Sequence, residues 1–291
     1  MGVAFADYDG DGDLDVFVAN DTTPNFLFRN DGNGRFTEVG LTAGIAFNDD
    51  GRALSSMGVD FRDVDNDGRP DLFVTALANE TFPLYRNLGR GLFADVTYPS
   101  RVGVATLPFS GWGNGVYDFD NDGRKDLFAA NGDVNDNTEA FSSLRSRQPN
   151  LLLFQRASGR FEPVSLGAPA LHRGAAFADF DGDGRIDVVV TRIGERPLLL
   201  RNVTANTNHW LGLKLVGRRS NRDAIGARVR AGVQWNHVTT SVGYAGSSDP
   251  RVHFGLGAAT RVEVEILWPS GQVQKLGEIQ ADRYLTVEEP S

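Results

Sequence analysis

Sixteen aspartates, set in four copies of one nine-residue pattern, carry the chemistry this chain can be expected to do. The copies are Asp7-Tyr-Asp-Gly-Asp-Gly-Asp-Leu-Asp15, Asp63-Val-Asp-Asn-Asp-Gly-Arg-Pro-Asp71, Asp118-Phe-Asp-Asn-Asp-Gly-Arg-Lys-Asp126 and Asp179-Phe-Asp-Gly-Asp-Gly-Arg-Ile-Asp187. Their starts are 56, 55 and 61 residues apart, so they belong to a repeat and not to chance. Each offers carboxylates at positions 1, 3, 5 and 9: Asp7, Asp9, Asp11 and Asp15; Asp63, Asp65, Asp67 and Asp71; Asp118, Asp120, Asp122 and Asp126; Asp179, Asp181, Asp183 and Asp187. Position 6 is always Gly, which tolerates the positive φ of a sharp turn. Such a loop suits Ca²⁺, a hard cation that takes six to eight oxygens. The position-7 carbonyl, from Asp13, Arg69, Arg124 or Arg185, is the expected further ligand. Four carboxylates this close repel one another unless a cation joins them, or their pKa values rise. About four bound Ca²⁺ are therefore expected, in a structural role.

Two other readings of the loops compete. An EF-hand needs Glu at position 12 and flanking helices. Position 12 here is Val18, Val74, Ala129 and Val190, inside runs that read as strands. Asp and Gly also make plain turns, but a turn has no need of four acids in fixed phase.

The flanks show what must hold the loops. A Gly-started run precedes each one, such as Gly2-Val-Ala-Phe and Gly58-Val-Asp-Phe, and a β-branched or aromatic run follows, such as Leu14-Asp-Val-Phe-Val and Ile186-Asp-Val-Val-Val. A third run ends in Arg or Arg-Asn: Phe26 to Asn30, Pro83 to Asn87, Leu151 to Arg156, Pro197 to Asn202. A Gly turn leads to a fourth: Gly34 to Val39, Gly91 to Val96, Gly159 to Val164. Each repeat thus reads as four short antiparallel strands, a β-propeller blade. Repeat three carries a polar insertion at about Gly132 to Gln148, and repeat four lacks the fourth strand. Helical periodicity is absent except around Thr138 to Arg147.

The loops and strands over residues 2–202 resemble the FG-GAP or VCBS repeats of integrin-α-like propellers. That resemblance implies calcium held in a hairpin loop that stiffens the blade. In the remainder, Ser220-Asn-Arg-Asp-Ala-Ile-Gly-Ala-Arg-Val229, His253-Phe-Gly-Leu-Gly257 and Trp268-Pro-Ser-Gly271 resemble the ASPIC/UnbV domain, which follows FG-GAP repeats in the cartilage acidic protein family. The fold class expected is all-β: a propeller over 1–202, with blades at about 1–52, 53–107, 108–168 and 169–202, then a small antiparallel sandwich or barrel over 203–291. Alternating runs there include His209 to Val216, Gly226 to Arg230, Val233 to Val242, Val252 to Phe254, Val262 to Trp268 and Tyr284 to Val287. Four blades close only the smallest propellers, and the chain starts at the first strand of a blade. Residues 1–202 are therefore expected to be the C-terminal part of a larger propeller, with earlier residues missing.

Composition narrows the function. Residues 1–202 hold 30 acids against 19 bases, whereas 203–291 hold 8 against 10, which argues against nucleic acid as a partner of the acidic part. There is no Cys, hence no disulfide and no thiol nucleophile. No apolar run is long enough for a transmembrane helix, and the N-terminus lacks the features of a signal peptide. His172, His209, His237 and His253 stand in no metal spacing, and Gly111 to Gly115 has no following helix to cradle phosphate. Arg218, Arg219, Arg222, Arg228 and Arg230 form a basic cluster that reads as a strand face plus a turn. Asn20, Asn79 and Asn202 fit the glycosylation pattern but also suit turns.

The expectation is a secreted, periplasmic or cell-surface calcium-binding module for adhesion, with an extracellular protein or glycan as partner. The rival is a polysaccharide-processing enzyme using acids outside the loops, among them Asp60, Asp95, Asp133, Asp136 and Glu139. A third possibility is a scaffold whose one ligand is calcium.

Overall fold

A computed structural model describes residues 1–291. Three four-stranded antiparallel sheets come first, each a simple meander. They are β1 (Val3–Ala6), β2 (Asp15–Val18), β3 (Phe26–Asn30) and β4 (Phe36–Glu38); β5 (Val59–Arg62), β6 (Asp71–Val74), β7 (Leu84–Gly89) and β8 (Leu92–Asp95); and β9 (Gly111–Tyr117), β10 (Asp126–Asn131), β11 (Gln148–Gln155) and β12 (Phe161–Ala170). A fourth sheet has three strands, β13 (His172–Ala178), β14 (Asp187–Arg192) and β15 (Leu198–Leu200). These are the blades of a β-propeller, and each Asp-rich loop joins a blade's first strand to its second.

The blades stack face to face, which explains the near-continuous apolar runs. Along β6, Leu72 and Val74 enter the core shared with the first blade, while Phe73 enters the core shared with the third. Along β10, Leu127 and Ala129 face one way and Phe128 and Ala130 the other. A strand's period of two thus feeds two cores, and neither face is left for polar residues. Two short helices, α1 (Gly40–Ala43) and α2 (Val102–Thr106), fill connections whose sequence shows no helical stripe. The helical periodicity near Thr138 to Arg147 gives only a 3₁₀ turn at Thr138–Ala140.

A second unit packs two sheets around 16 buried residues that include Leu211, Phe254 and Trp268. One sheet holds β16 (His209–Val216), β19 (Val252–Gly257) and β22 (Arg283–Glu288), with β16 and β22 parallel. The other holds β17 (Arg228–Ala231), β18 (Gln234–His237), β20 (Arg261–Leu267) and β21 (Val273–Gln280).

One expected strand is corrected. The alternation from Val233 to Val242 pairs within the sandwich only as far as Val238, whose N–H donates to the Ala227 carbonyl (2.9 Å). Beyond it the chain leaves the sandwich and runs among the blades' first strands as a strap. Ser241 Oγ donates to the Val3 carbonyl, and Gly243 exchanges backbone hydrogen bonds with Val59. Tyr244 meets the ring of Trp112 edge-on at 5.0 Å. On the way back, Phe177 N–H donates to Ser248 Oγ (3.3 Å) and Asp249 N–H to the Phe177 carbonyl (3.1 Å). The strap therefore touches β1, β5, β9 and β13. The alternation is genuine, but only its first half pairs within the sandwich, with β17; from Thr239 onward its partners are the inner strands.

Candidate metal centre

All four loops are wired alike, counting positions from the first aspartate. The position-1 carboxylate accepts the Gly N–H at position 6: Asp7 from Gly12 (3.2 Å), Asp63 from Gly68 (2.8 Å), Asp118 from Gly123 (2.7 Å), Asp179 from Gly184 (2.8 Å). At position 5, Asp11, Asp67, Asp122 and Asp183 accept the backbone N–H of Asp13, Arg69, Arg124 and Arg185 at 2.9–3.0 Å. Position 9 is buried. Its two oxygens accept one N–H from position 2 and one from the end of the blade's third strand. Asp71, for example, takes Val64 N–H and Asn87 N–H, both at 2.8 Å. Asp15, Asp126 and Asp187 repeat this with Tyr8 and Asn30, Phe119 and Gln155, Phe180 and Asn202.

This wiring gathers carboxylate oxygens into tight groups. Asp7, Asp9 and Asp15 lie with ligand atoms within 4.8 Å of one another, as do Asp63, Asp65 and Asp71, and Asp179, Asp181 and Asp187. In the third loop the group is Asp118, Asp120 and Asp122. Two oxygens on one Ca²⁺ can be no farther apart than about 5 Å, twice the bond length of 2.3–2.6 Å. The groups fit that limit. Positions 1, 3 and 9 converge in three loops, while position 5 joins the group only in the third. Arg69, Arg124 and Arg185 ion-pair with the position-5 acids Asp67, Asp122 and Asp183, whether or not that acid joins its group. Arg86 and Arg201 likewise reach Asp65 and Asp181, each at 2.6 Å. The first loop has Asp13 at position 7, so its five acids have the least compensation from arginine.

Burial is the largest influence on these acids. It pushes Asp15 up to about 7 and Asp71 and Asp118 up to about 8, against the N–H groups that pull the other way. Asp126 lies well above the ordinary carboxylate range for the same reason, with Asp118 adding repulsion. Asp7, Asp9, Asp63, Asp65 and Asp122 are also raised, burial first. Buried acids that hold protons so tightly are acids short of positive charge.

Two contributors escape the sequence reading. Position 4 is Gly10, Asn66, Asn121 or Gly182, with φ of +83°, +61°, +58° and +75°. The signal is present, since only Gly and Asn occupy it. Each Asn also bridges to the next blade: Asn66 Nδ2 donates to the Gly123 carbonyl and Asn121 Nδ2 to that of Gly184, both at 3.0 Å. The other contributor is the amide that closes the third strand. Asn87 Nδ2 donates to the Tyr8 carbonyl (2.8 Å), Gln155 Nε2 to Val64 (3.2 Å) and Asn202 Nδ2 to Phe119 (2.7 Å). Each of those carbonyls is position 2 of the preceding loop, so adjacent loops are tied in series.

The second unit sits on the loops. Arg228 Nη2 donates to the Gly68 carbonyl (2.7 Å), the bond that Gly10 cannot supply. Tyr284 OH donates to Asp179 Oδ2 (2.7 Å), His253 Nε2 to the Gly184 carbonyl (3.0 Å), and Gly257 N–H to that of Asn121 (2.8 Å). A Cβ on Gly255 would lie 2.0 Å from Asp118 Oδ2, which explains the glycine in His253-Phe-Gly-Leu-Gly257. The basic cluster does not hold together. Arg228 leaves it for the second loop and stacks over Trp235, while Arg218 pairs with Glu288. Of the sequons, Asn20 and Asn202 spend their side-chain amides on backbone carbonyls.

The family model for FG-GAP-like repeats matches residues 7–74, 63–129 and 118–190. The chain belongs to the FG-GAP-like repeat family. The ASPIC and UnbV model matches residues 217–291, the second unit's sandwich apart from β16. Among curated relatives, Cartilage acidic protein 1 of Mus musculus is 30% identical over 278 residues, covering 89% of this chain and 40% of that protein. The Homo sapiens protein is 30% identical over 275 residues, covering 89% and 39%. This FG-GAP chain thus spans about two-fifths of the length of those relatives. A solved Agrocybe aegerita lectin that recognises non-reducing terminal N-acetylglucosamine is 18% identical, with a TM-score of 0.38 over 68% of this chain and 51% of its own. No helix is long and apolar enough to cross a membrane.

Proposed function

We propose that this chain is an extracellular binding module whose blades are held by about four structural Ca²⁺. The supporting observation is the convergence of three carboxylates within 4.8 Å in every repeat, on one shared hydrogen-bond scheme. In this reading positions 1, 3 and 9 are the principal ligands, Asp122 replaces Asp126 in the third loop, and the carbonyls of Asp13, Arg69, Arg124 and Arg185 complete the shells. Calcium would supply positive charge to acids that now repel one another. It would also lock the loops on which the second unit rests. Extracellular calcium is abundant enough to fill even weak modules of this kind. Adhesion, through a protein or a glycan, follows from the relatives' family as the working role.

The enzymatic rival finds little support in the acids it would need. Asp60 accepts Val116 N–H (2.9 Å) and pairs with buried Arg62. Asp95 caps Thr97 N–H, Asp133 accepts from Thr138 and Ser110, and Glu139 accepts from Ser146. Asp60 thus ties two neighbouring blades together, while Asp95, Asp133 and Glu139 hold turns or strand ends in place.

The test is bound metal per chain, measured beside thermal unfolding in calcium and in chelator. We expect nearly four ions. Each should add about 2.7 kcal/mol once free calcium is a hundred times the dissociation constant. Fewer than about one ion, with no change in unfolding temperature, would sink the proposal and leave the loops as turns.

A further inference from the structure

A cavity opens between the second and third blades, and comparison of the repeats shows why. Where the first blade meets the second, position 2 of the loop is Tyr8. Its ring stacks on Phe93, in the next blade's fourth strand, at 5.8 Å. Where the second blade meets the third, Phe161 takes the place of Phe93: it stands opposite Gln155 as Phe93 stands opposite Asn87. Position 2 there is Val64, which has no ring to fill the space. What remains is a cavity of about 300 Å³, at the small end of ligand pockets. Buried Leu84 and Phe161 and half-buried Val96 give it apolar walls. The polar groups also differ from those of the first pair. Arg90 and Leu92 there become Ser158 and Arg160 here, and both of these line the cavity. Arg160 is exposed and has no carboxylate within ion-pair distance, whereas Arg86 is taken by Asp65 and Arg156 by Glu162. Gln155, 8% exposed, spends its Nε2 on the Val64 carbonyl (3.2 Å), which leaves its Oε1 without a donor.

We propose that this cavity binds one ring of an acidic glycan, a pyranose that carries a carboxylate. Arg160 offers a free guanidinium fork, which matches a carboxylate with two parallel hydrogen bonds. The Gln155 carbonyl needs a donor, and the Ser158 hydroxyl can both donate and accept. Sugar hydroxyls answer both demands, because each is itself a donor and an acceptor. The apolar walls suit the C–H face of a ring. The volume admits a single ring, so the unit recognised is a terminal or branching one. The inference deepens the reading of the chain as a binding module and rests on it. None of Gln155, Ser158 and Arg160 is a calcium ligand in that reading, so the cavity and the metal sites can be tested apart.

The experiment titrates the full chain with glucuronate, galacturonate and N-acetylneuraminate, and with glucose and galactose as neutral counterparts. It is run in calcium and in chelator and read by the methyl resonances of Val64, Leu84 and Val96. At least one acidic sugar should shift those methyls, with a dissociation constant on the order of 1 mM for a single ring. Its neutral counterpart should bind about tenfold more weakly, for want of the charged hydrogen bonds. Arg160→Leu, which copies Leu92, should bring the acidic sugar down to the level of the neutral one. Val64→Tyr, which copies Tyr8, should abolish binding of both and leave the bound metal per chain unchanged. The first blade pair already carries that ring, so the fold accommodates it. No binding by any of the three acidic sugars at tens of millimolar would overturn the proposal, whatever the metal count. So would equal binding of acidic and neutral sugars, or binding that survives both variants. An acidic peptide that moves the same methyls at lower concentration than any sugar would also overturn it, by making the cavity a protein site. Sugar binding that persists in chelator, or in a chain that holds no calcium, would uphold the cavity independently of the metal.

Discussion

Two kinds of buried acid stand in this molecule, one in the repeats and one in the sandwich. Glu289, 1% exposed, accepts the N–H groups of Arg218, Arg219 and Ser220 at 2.7–2.8 Å and the hydroxyls of Ser220 and Ser270. Burial works to raise it, yet the hydrogen bonds from Ser220, Ser270 and Arg218 win and pull it down to about 2. Asp71, also buried, receives only two N–H groups, faces Asp63 and Asp65, and is pushed up to about 8. The lesson is that burial alone does not set an acid's state; the supply of donors does. Glu289 is complete within its own unit. The loop acids are incomplete, and a cation is what would complete them.

The largest expected break between the two is with pH. Asp15, Asp71 and Asp118 have folded values of about 7, 8 and 8, above the ordinary unfolded value near 3.9. The folded state then binds more protons, so their contribution is fully present below about pH 4 and is lost as pH rises through those values. Glu289 runs the other way: its contribution is present above about pH 4.5 and is lost as pH falls toward 2. Unfolding temperatures in chelator should therefore peak near pH 4–5, and calcium should flatten the alkaline side. A chelated protein that gains stability from pH 5 to 8 would contradict this.

Next in size is Glu289→Ala. It leaves three N–H groups without their acceptor and should cost on the order of 3 kcal/mol in denaturant unfolding. Bound calcium per chain should stay the same, because the residue is remote from the loops. A cost under about 0.5 kcal/mol would mean that water replaces the carboxylate freely.

The smallest effect sharpens the same contrast inside one loop. Asp120→Asn keeps the oxygen that accepts Asp122 N–H but removes a charge that raises Asp118, Asp122 and Asp126. In chelator it should stabilise by on the order of 1 kcal/mol, the Coulomb energy of two charges at 4 Å in water. In calcium the chain should bind one ion fewer. Destabilisation in both conditions would show that Asp120 serves the turn more than the metal.

Much of this is legible in the residues alone. The loops, the four-strand repeat, the missing strand of repeat four and the order of the two resemblances all rest on local patterns. Residues such as Leu72, Phe73 and Val74 announce a strand buried on both faces, because their run is apolar without a break. Asn87 and Asn202 are visible as repeated residues without a role. Their function depends on reaching the preceding blade, which no local pattern encodes. The strap from Thr239 shows the same limit. Its alternation matches a sandwich strand, and only the packing of four inner strands decides where it pairs.

By itself the sequence determined which acids stand in phase, because side-chain spacing along nine residues is a covalent fact. It also determined that Gly or Asn must occupy positions 4 and 6, since positive φ is costly for other residues. The tertiary structure alone decided which acids converge, because the same nine-residue pattern gathers positions 1, 3 and 9 in three loops but positions 1, 3 and 5 in the third. It also left a cavity between the third and fourth blades, lined by Phe119, Phe128, Ile186 and Val188, since a cavity exists only where two surfaces meet and the side chains of neither fill the space.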